Sequence, residues 1–203
     1  MVDQLQVPYR WIYWAKAVRA GSLNNHPVQA KYLLRAKQWS QAHEVIIKHI
    51  APDAIINDNI GYLKSLLEQF EDTKKVSNWA LQGQILLDYI QLNEKFENLQ
   101  ESGDNLMEED VELILERLKQ KLSDLCSVIK QFPCPTSKHR LCQNEISQRL
   151  AFIIRCFYAN TQANTSCALM RIAMDKLPLS QEYAQQELRH VLTAFLKEKL
   201  TIN

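Results

Sequence analysis

Apolar residues recur at steps of three and four along nearly the whole chain, and this spacing limits the possible folds more than any other feature. In an α-helix, such spacing places the apolar side chains on one face. The longest regular series covers three heptads: Val111, Leu115, Leu118, Leu122, Leu125, Ile129 and Phe132. Only 4 of the 203 residues are glycine and 6 are proline, too few turn residues for a barrel or sandwich of many short strands. The sequence therefore predicts an all-α fold.

Proline, glycine, asparagine and serine divide the chain into about eight predicted helices. We expect them at about 8–20, 27–36, 40–50, 60–70, 76–99, 111–132, 137–157 and 180–200. Pro52 should end the third, because proline lacks the N–H that an interior helical position donates. The fifth carries two apolar stripes and so belongs between two layers. Short successive helices predict stacked antiparallel hairpins, as in a fragment of an irregular α-solenoid scaffold.

The length fits one large domain or two small ones. We expect a single helical domain over 1–203, with N-terminal hairpins at 1–56, long middle helices at 57–132 and C-terminal helices at 137–203. No apolar run approaches the ~18 residues of a membrane span, and the first residues lack the pattern of a signal peptide. Five cysteines, an odd number without regular spacing, favour a reducing compartment and no disulfides. These features predict a cytosolic or nuclear protein.

The charges nearly cancel but are unevenly distributed. Lysine and arginine number 24 against 23 acidic residues, a formal charge of +1 that does not favour binding to nucleic acid or an anionic membrane. Residues 1–50 hold seven bases and two acids, whereas residues 94–124 hold ten acids and four bases. Two solvated helix faces would account for this pattern. The alternative is that one flank steers a protein partner of opposite charge.

No group of residues predicts catalysis. Sulfur and imidazole occur together in one neighbourhood, formed by Cys126, Cys134, His139 and Cys142. The spacing fits no standard zinc motif, and Cys126 and Cys142 follow apolar stripes, so we expect core packing there. His43 and His49 are six residues apart and point in different directions on a helix. Because a nucleophile elbow and a glycine-rich phosphate loop are also missing from the sequence, we predict a protein that is not an enzyme and has no cofactor or metal ion.

Four aromatic residues lie within six positions near the start of the chain: Tyr9, Trp11, Tyr13 and Trp14. On a helix they point nearly all round, so one neighbouring helix cannot cover them. Either this helix stacks on earlier helices of a longer protein, or it forms a binding surface, since tryptophan, tyrosine and arginine dominate interface energetics. The candidate partner contacts are Trp11 and Trp14 at one end and Tyr183, Val191 and Phe195 at the other.

Several short runs carry a resemblance to a known family. They include 7–8 (Val-Pro), 11–12 (Trp-Ile), 15–20 (Ala-Lys-Ala-Val-Arg-Ala), 53–57 (Asp-Ala-Ile-Ile-Asn), 87–90 (Leu-Asp-Tyr-Ile), 177–178 (Leu-Pro) and 182–184 (Glu-Tyr-Ala). In order and with small gaps, from about Val7 to Leu200, the chain resembles the C-terminal region of nucleoporin 96, the scaffold half of the nucleoporin 98-96 precursor family. The matched residues are structural positions and not a catalytic signature.

The resemblance implies a structural component of the Y-complex of the nuclear pore, at the nuclear envelope, with an all-helical scaffold fold. It implies support of pore assembly, mRNA export and protein transport, and binding to nucleoporins of the 160 and 85 types at the hub of the Y. It also implies no small-molecule substrate. A helical adaptor or vesicle-coat subunit of similar architecture is the alternative, and a thiol- or zinc-dependent enzyme is a more distant one.

Overall fold

The computed structural model describes residues 7–102, 108–159, 174–187, 189–190 and 193, and over these residues the fold is all-α without strands, as predicted. The helices, α1 to α8, span Tyr9–Ser22, His26–Arg35, Trp39–Val45, Ala51–Ile56, Ile60–Leu67, Gly83–Ser102, Glu108–Val128 and Ser137–Ala159. Residues 181–187 are also helical. In this described part of the chain, no helix is both long and apolar enough to cross a membrane.

The chain packs as two compact units, Met1–Leu87 and Asp88–Asn203. The first unit contains α1 to α5 and the beginning of α6. The second contains the rest of α6 together with α7 and α8. The single domain over 1–203 and its three subdivisions stay predictions.

Helices α1 and α2 form an antiparallel hairpin. A Cβ on Gly21, near the end of α1, would lie 2.6 Å from Nε2 of Gln29, near the start of α2. Earlier in α1, the Lys16 ammonium lies 5.7 Å from the centre of the Tyr32 ring. Earlier still in α1, the centre of the Tyr13 ring lies 5.8 Å from the guanidinium of Arg35. Contacts that move backward along α1 as they move forward along α2 require antiparallel helices, which confirms the prediction for this pair.

The first three tight connections between helices use the same backbone motif. A left-handed residue follows each helix: Asn24 (φ 54°), Lys37 (φ 56°) and Asp58 (φ 55°). The next N–H donates to the carbonyl five residues earlier: Asn25 to Ala20 (2.9 Å), Gln38 to Leu33 (3.0 Å) and Asn59 to Ala54 (2.7 Å). This is the Schellman motif, which satisfies carbonyls that the helix end would leave free. A chain with few glycines thus ends its helices with asparagine, lysine and aspartate.

Pro52 does not end the third helix, so that prediction is wrong. The helical backbone runs from Trp39 to Ile56 because a π-helical turn, Ile46–Ile50, joins α3 to α4. The N–H of Ala51 donates to the carbonyl of Ile46, five residues earlier, as in a π-helix. Pro52 then falls in the first turn of α4, where proline is tolerated because its missing N–H has little consequence.

Helix α6 begins at Gly83, not at the predicted Val76. Residues before it form a short 3-10 turn, Trp79–Leu81, that follows left-handed Asn78 (φ 60°). The three-residue step from Val76 to Trp79 resembled helical spacing, but both side chains reach the core from irregular backbone. Within α6, members of both predicted stripes are buried, Leu86 and Ile90 from one and Ile85, Leu92 and Phe96 from the other. Tyr89 and Asn93, which lie between the stripes, are buried too, so the buried face is continuous.

The core of the second unit includes side chains of α8 and of the regular series, which begins in α7 and ends beyond it at Phe132. Buried members of the series are Leu118, Leu122, Leu125, Ile129 and Phe132, whereas the side chains of Val111 and Leu115 lie outside the described residues. From α8 the buried residues include Ile146, Leu150, Ile153 and Ile154. The heptad pattern in α7 therefore predicted the buried face correctly.

Candidate protein-interaction surface

Helix α1 turns one apolar face away from its neighbour. Ala17 and Ala20 are buried, whereas Trp11, Trp14 and Val18 are 70%, 45% and 54% exposed. These three side chains follow steps of three and four, so they share one face of the helix. At about 100° per residue, the centre of that face lies about 120° from the centre of the two buried alanines. We call Trp11, Trp14 and Val18 the α1 stripe.

Arginine residues flank the α1 stripe on both sides. At about 100° per residue, Arg10 falls on one side of the stripe and Arg19 on the other. Both side chains are exposed. The surrounding sequence is free of acids, because residues 4–43 contain six lysines and arginines and no aspartate or glutamate. The stripe thus combines exposed tryptophan with positive charge, a composition enriched at protein interfaces.

The four aromatic residues of α1 divide between two roles. Tyr13 faces α2 and stacks on Tyr32, with ring centres 6.2 Å apart and ring planes at 21°. Tyr9 is also exposed, at 63%, although it lies four residues before Tyr13 and so on the same side of the helix as that ring. The periodicity suggested that a single neighbouring helix could not cover all four rings. The structure agrees, because Tyr13 is the one of the four rings that stacks on a ring of α2 in the described part of the chain.

The other predicted contacts lie in the second unit or outside the described residues. Tyr183 is half-buried, and its hydroxyl donates a hydrogen bond to the carbonyl of Gln148 (3.4 Å). Burial, together with the nearby Glu187 carboxylate, raises the pKa of Tyr183 to about 12. Val191 and Phe195 are among the residues that the structure does not describe. Partner contact by any of the five candidates stays a prediction.

The pairing of Arg155 with Glu187 was not foreseen from the sequence. One guanidinium nitrogen of Arg155 donates to both carboxylate oxygens of Glu187, at 3.0 and 2.9 Å. The glutamate is only 4% exposed. This pair ties the helical residues 181–187 to α8. The only available signal was the position of Glu187 near the apolar Leu188, which does not distinguish a buried acid from a solvated one.

The cysteine and histidine neighbourhood packs as core. Cys126 and Cys142 are buried, as predicted, and burial raises the pKa of both thiols to about 12. The Nδ1 of His139 lies 2.7 Å from the Thr136 hydroxyl, and the Cys134 thiol lies 3.6 Å from the His139 carbonyl oxygen. Within the described residues, no three side chains of histidine, cysteine, aspartate or glutamate converge on a possible metal position.

Comparison with known proteins gives relatives of one kind. No family model matches the chain. It is 49% identical over 193 residues, 93% of its length, to the nuclear pore complex protein Nup98-Nup96 of Drosophila melanogaster. It is 35% identical over 95 residues, 46% of its length, to nucleoporin nup189 of Schizosaccharomyces pombe. Against Nup98-Nup96 of Dictyostelium discoideum, identity is 23% over 204 alignment positions.

The match covers a small part of each relative. The chain spans 10% of the Drosophila and Dictyostelium proteins and 5% of the fission yeast protein. In the Drosophila protein, the matched part is the C-terminal, Nup96 portion. With nearly half of its residues identical across almost its whole length, the chain belongs to the Nup98-Nup96 family and corresponds to the C-terminal region of Nup96.

Proposed function

We propose that this chain is a structural segment of the nuclear pore complex that holds other nucleoporins through exposed helix faces. Its family consists of nuclear pore proteins by name, and the nuclear envelope is where such proteins reside. The proposed role is not enzymatic, because binding needs only a complementary surface. The observation that carries the proposal is the α1 stripe, where two tryptophans face solvent.

Exposed tryptophans of this kind favour a protein partner. A tryptophan that becomes fully buried on binding removes a large apolar area from water, worth about 25 cal/mol for each Å². Trp11 and Trp14 lie one helical turn apart, so one partner helix can cover both. Arg10 and Arg19 would then meet acidic groups at the rim of the contact. The proposed occupant is therefore a helix of another nucleoporin that presents an apolar stripe with acidic flanks.

The proposed partners are nucleoporins of the 160 and 85 types at the hub of the Y-complex. Through them the chain would support pore assembly, mRNA export and protein transport. The resemblance in sequence supports these partners, and the α1 stripe supplies a surface suited to them. If the tagged protein instead localised to vesicle coats and not to the nuclear rim, the alternative of a coat or adaptor subunit would replace the proposal.

Co-purification with the C-terminal halves of the two hub nucleoporins tests this function. Trp11→Asp and Trp14→Asp should each weaken capture by about tenfold or more, because each places a charge in the desolvated centre of the contact. Leu141→Asp is the matched control, because Leu141 is 47% exposed but lies in the second unit. Hydrogen exchange of the complex should show added protection in α1. Equal capture of all three variants, with no added protection in α1, would contradict the proposal.

A further inference from the structure

A groove lies between α6 and α7 in the second unit. Its volume is about 530 Å³, and it is lined by Lys95, Asn98, Leu99, Ile114, Arg117, Leu118, Gln120 and Lys121. Leu99, Ile114 and Leu118 supply its apolar surface. Leu118 is buried, and the other two are half-buried. Lys95, Arg117 and Lys121 are exposed and supply three positive charges, and none of the lining residues that the structure describes is acidic.

The positive charges are concentrated here although the surrounding sequence is acidic. Residues 94–124 contain ten acids and four bases, and three of the four bases line this groove. The fourth, Lys119, lies outside the groove and pairs with Glu116 at 3.5 Å. Glu97, an acid of α6, is directed to Arg149, which donates to it at 2.7 Å and is not a lining residue. Asp124 accepts a hydrogen bond at 2.9 Å from Gln120, which lines the groove. The described lining residues thus carry three bases, while Glu97 and Glu116 are paired with side chains outside the lining.

We propose that this groove binds an acidic amphipathic α-helix of another protein. Apolar side chains of that helix, spaced three and four residues apart, would enter between α6 and α7, as in other complexes where a helix lies in a groove. Glutamate or aspartate residues on its flanks would meet Lys95, Arg117 and Lys121. An apolar floor favours such a helix over nucleic acid, because phosphates gain nothing from contact with leucine and isoleucine. The proposal does not depend on the α1 stripe.

Two synthetic peptides provide the test. Both are 18-residue helices with identical leucines at steps of three and four, and one has glutamate flanks whereas the other has lysine flanks. Binding to the full chain is measured by fluorescence anisotropy at low and high salt. We expect the acidic peptide to bind and the basic peptide to bind at least about tenfold more weakly, with the difference shrinking in high salt.

Charge-reversal variants locate the binding. Arg117→Glu and Lys121→Glu should each reduce affinity for the acidic peptide by about tenfold, because each replaces an attraction with a repulsion. Lys119→Glu is the matched control on the same helix and should change affinity less than about twofold. Circular dichroism should show all three variants folded, since the substituted side chains are solvent-facing. Equal binding of the two peptides, or equal losses from Lys119→Glu and Lys121→Glu, would overturn the proposal. So would binding of duplex DNA or anionic vesicles that is tighter than that of the peptide and lost in the same groove variants.

Discussion

The imidazole of His43 meets the ring of Phe70 edge-on, with ring centres 6.3 Å apart and ring planes at 90°. Trp79 packs on the same imidazole, with centres 5.6 Å apart. His43 is only 4% exposed, and its Nε2 has no hydrogen-bond partner among the described residues. Burial among aromatic rings disfavours the charged imidazolium. It lowers the pKa of His43 from 6.5 to about 4.

This histidine should make the protein less stable in mild acid. Between pH 6.5 and pH 4, the unfolded chain binds a proton at His43 that the folded chain does not bind. The free energy of unfolding should therefore be highest above pH 6.5 and fall by up to about 3 kcal/mol as the pH approaches 4. Urea titrations at half-unit pH intervals would measure this slope. His43→Leu should flatten it, whereas His190→Gln, at an exposed position, should leave it in place.

Two glycines should respond to alanine in opposite directions. A Cβ on Gly83 would lie 2.6 Å from the ring of Trp79, which is itself buried against Phe70. Gly83→Ala should destabilise the fold by about 2 kcal/mol, because the indole must shift in a packed core. Gly61 lies in α5, and no packing atom lies within 4 Å of the position that a Cβ would take, so Gly61→Ala should stabilise by about 0.5 kcal/mol through helix propensity. Thermal unfolding would compare them, and melting temperatures that shift the same way would count against the close approach at Gly83.

Loss of Arg155 should be costly because of the partner it leaves behind. Arg155→Met keeps much of the side-chain length but leaves the buried Glu187 carboxylate without its guanidinium. We expect a loss of about 2 kcal/mol, below the 3–5 kcal/mol typical of fully buried pairs, because the arginine is partly exposed. Lys119→Met breaks the exposed pair with Glu116 and should change stability by less than about 0.5 kcal/mol. Chemical denaturation measures both, and equal effects would show that the burial of Glu187 has no energetic weight.

Lys37 should be improved by glycine. It adopts a left-handed backbone (φ 56°), which costs a residue with a Cβ about 1 kcal/mol, and glycine has no such cost. Its ion pair with Glu71 is exposed and worth little. Lys37→Gly should therefore raise the free energy of unfolding by about 0.5–1 kcal/mol. Lys37→Ala removes the same ion pair without relieving the backbone, so it should not stabilise. A gain from alanine equal to that from glycine would mean that the backbone conformation is not the cause.

The spacing of apolar residues predicted which side chains are buried where they lie on a regular helix. The series from Leu118 to Phe132 is buried as expected, because a heptad repeat leaves little freedom in which side of a helix faces inward. The helix boundaries predicted from periodicity were wrong at Pro52 and at Val76. Near both residues the backbone departs from an α-helix, yet the apolar residues keep helical spacing. A π-helical turn and a 3-10 turn both leave apolar residues three or four positions apart.

The candidate surface was only partly predictable. The sequence indicated that the α1 aromatics exceed what one neighbour can cover, but it could not assign Tyr13 to α2 and Trp11 to solvent. That assignment depends on Ala17 and Ala20, whose small side chains set the inner face of the helix. The groove between α6 and α7 also had no signal, since Lys95 and Lys121 are distant in sequence and ordinary surface residues by pattern.

The π-helical turn at Ile46–Ile50 also sets the phase of everything that follows it within the same helix. Its wider loop of backbone accommodates one residue more than a regular turn would, so Ala54 and Ile55 reach the core in a register that an uninterrupted α-helix would not give them. Converting this turn to a regular α turn without removing a residue would rotate those side chains by about 100° toward water, whereas deleting one residue would regularise the backbone and leave them facing the core. The π-helical turn thus keeps the buried faces of α3 and α4 aligned along one continuous helix.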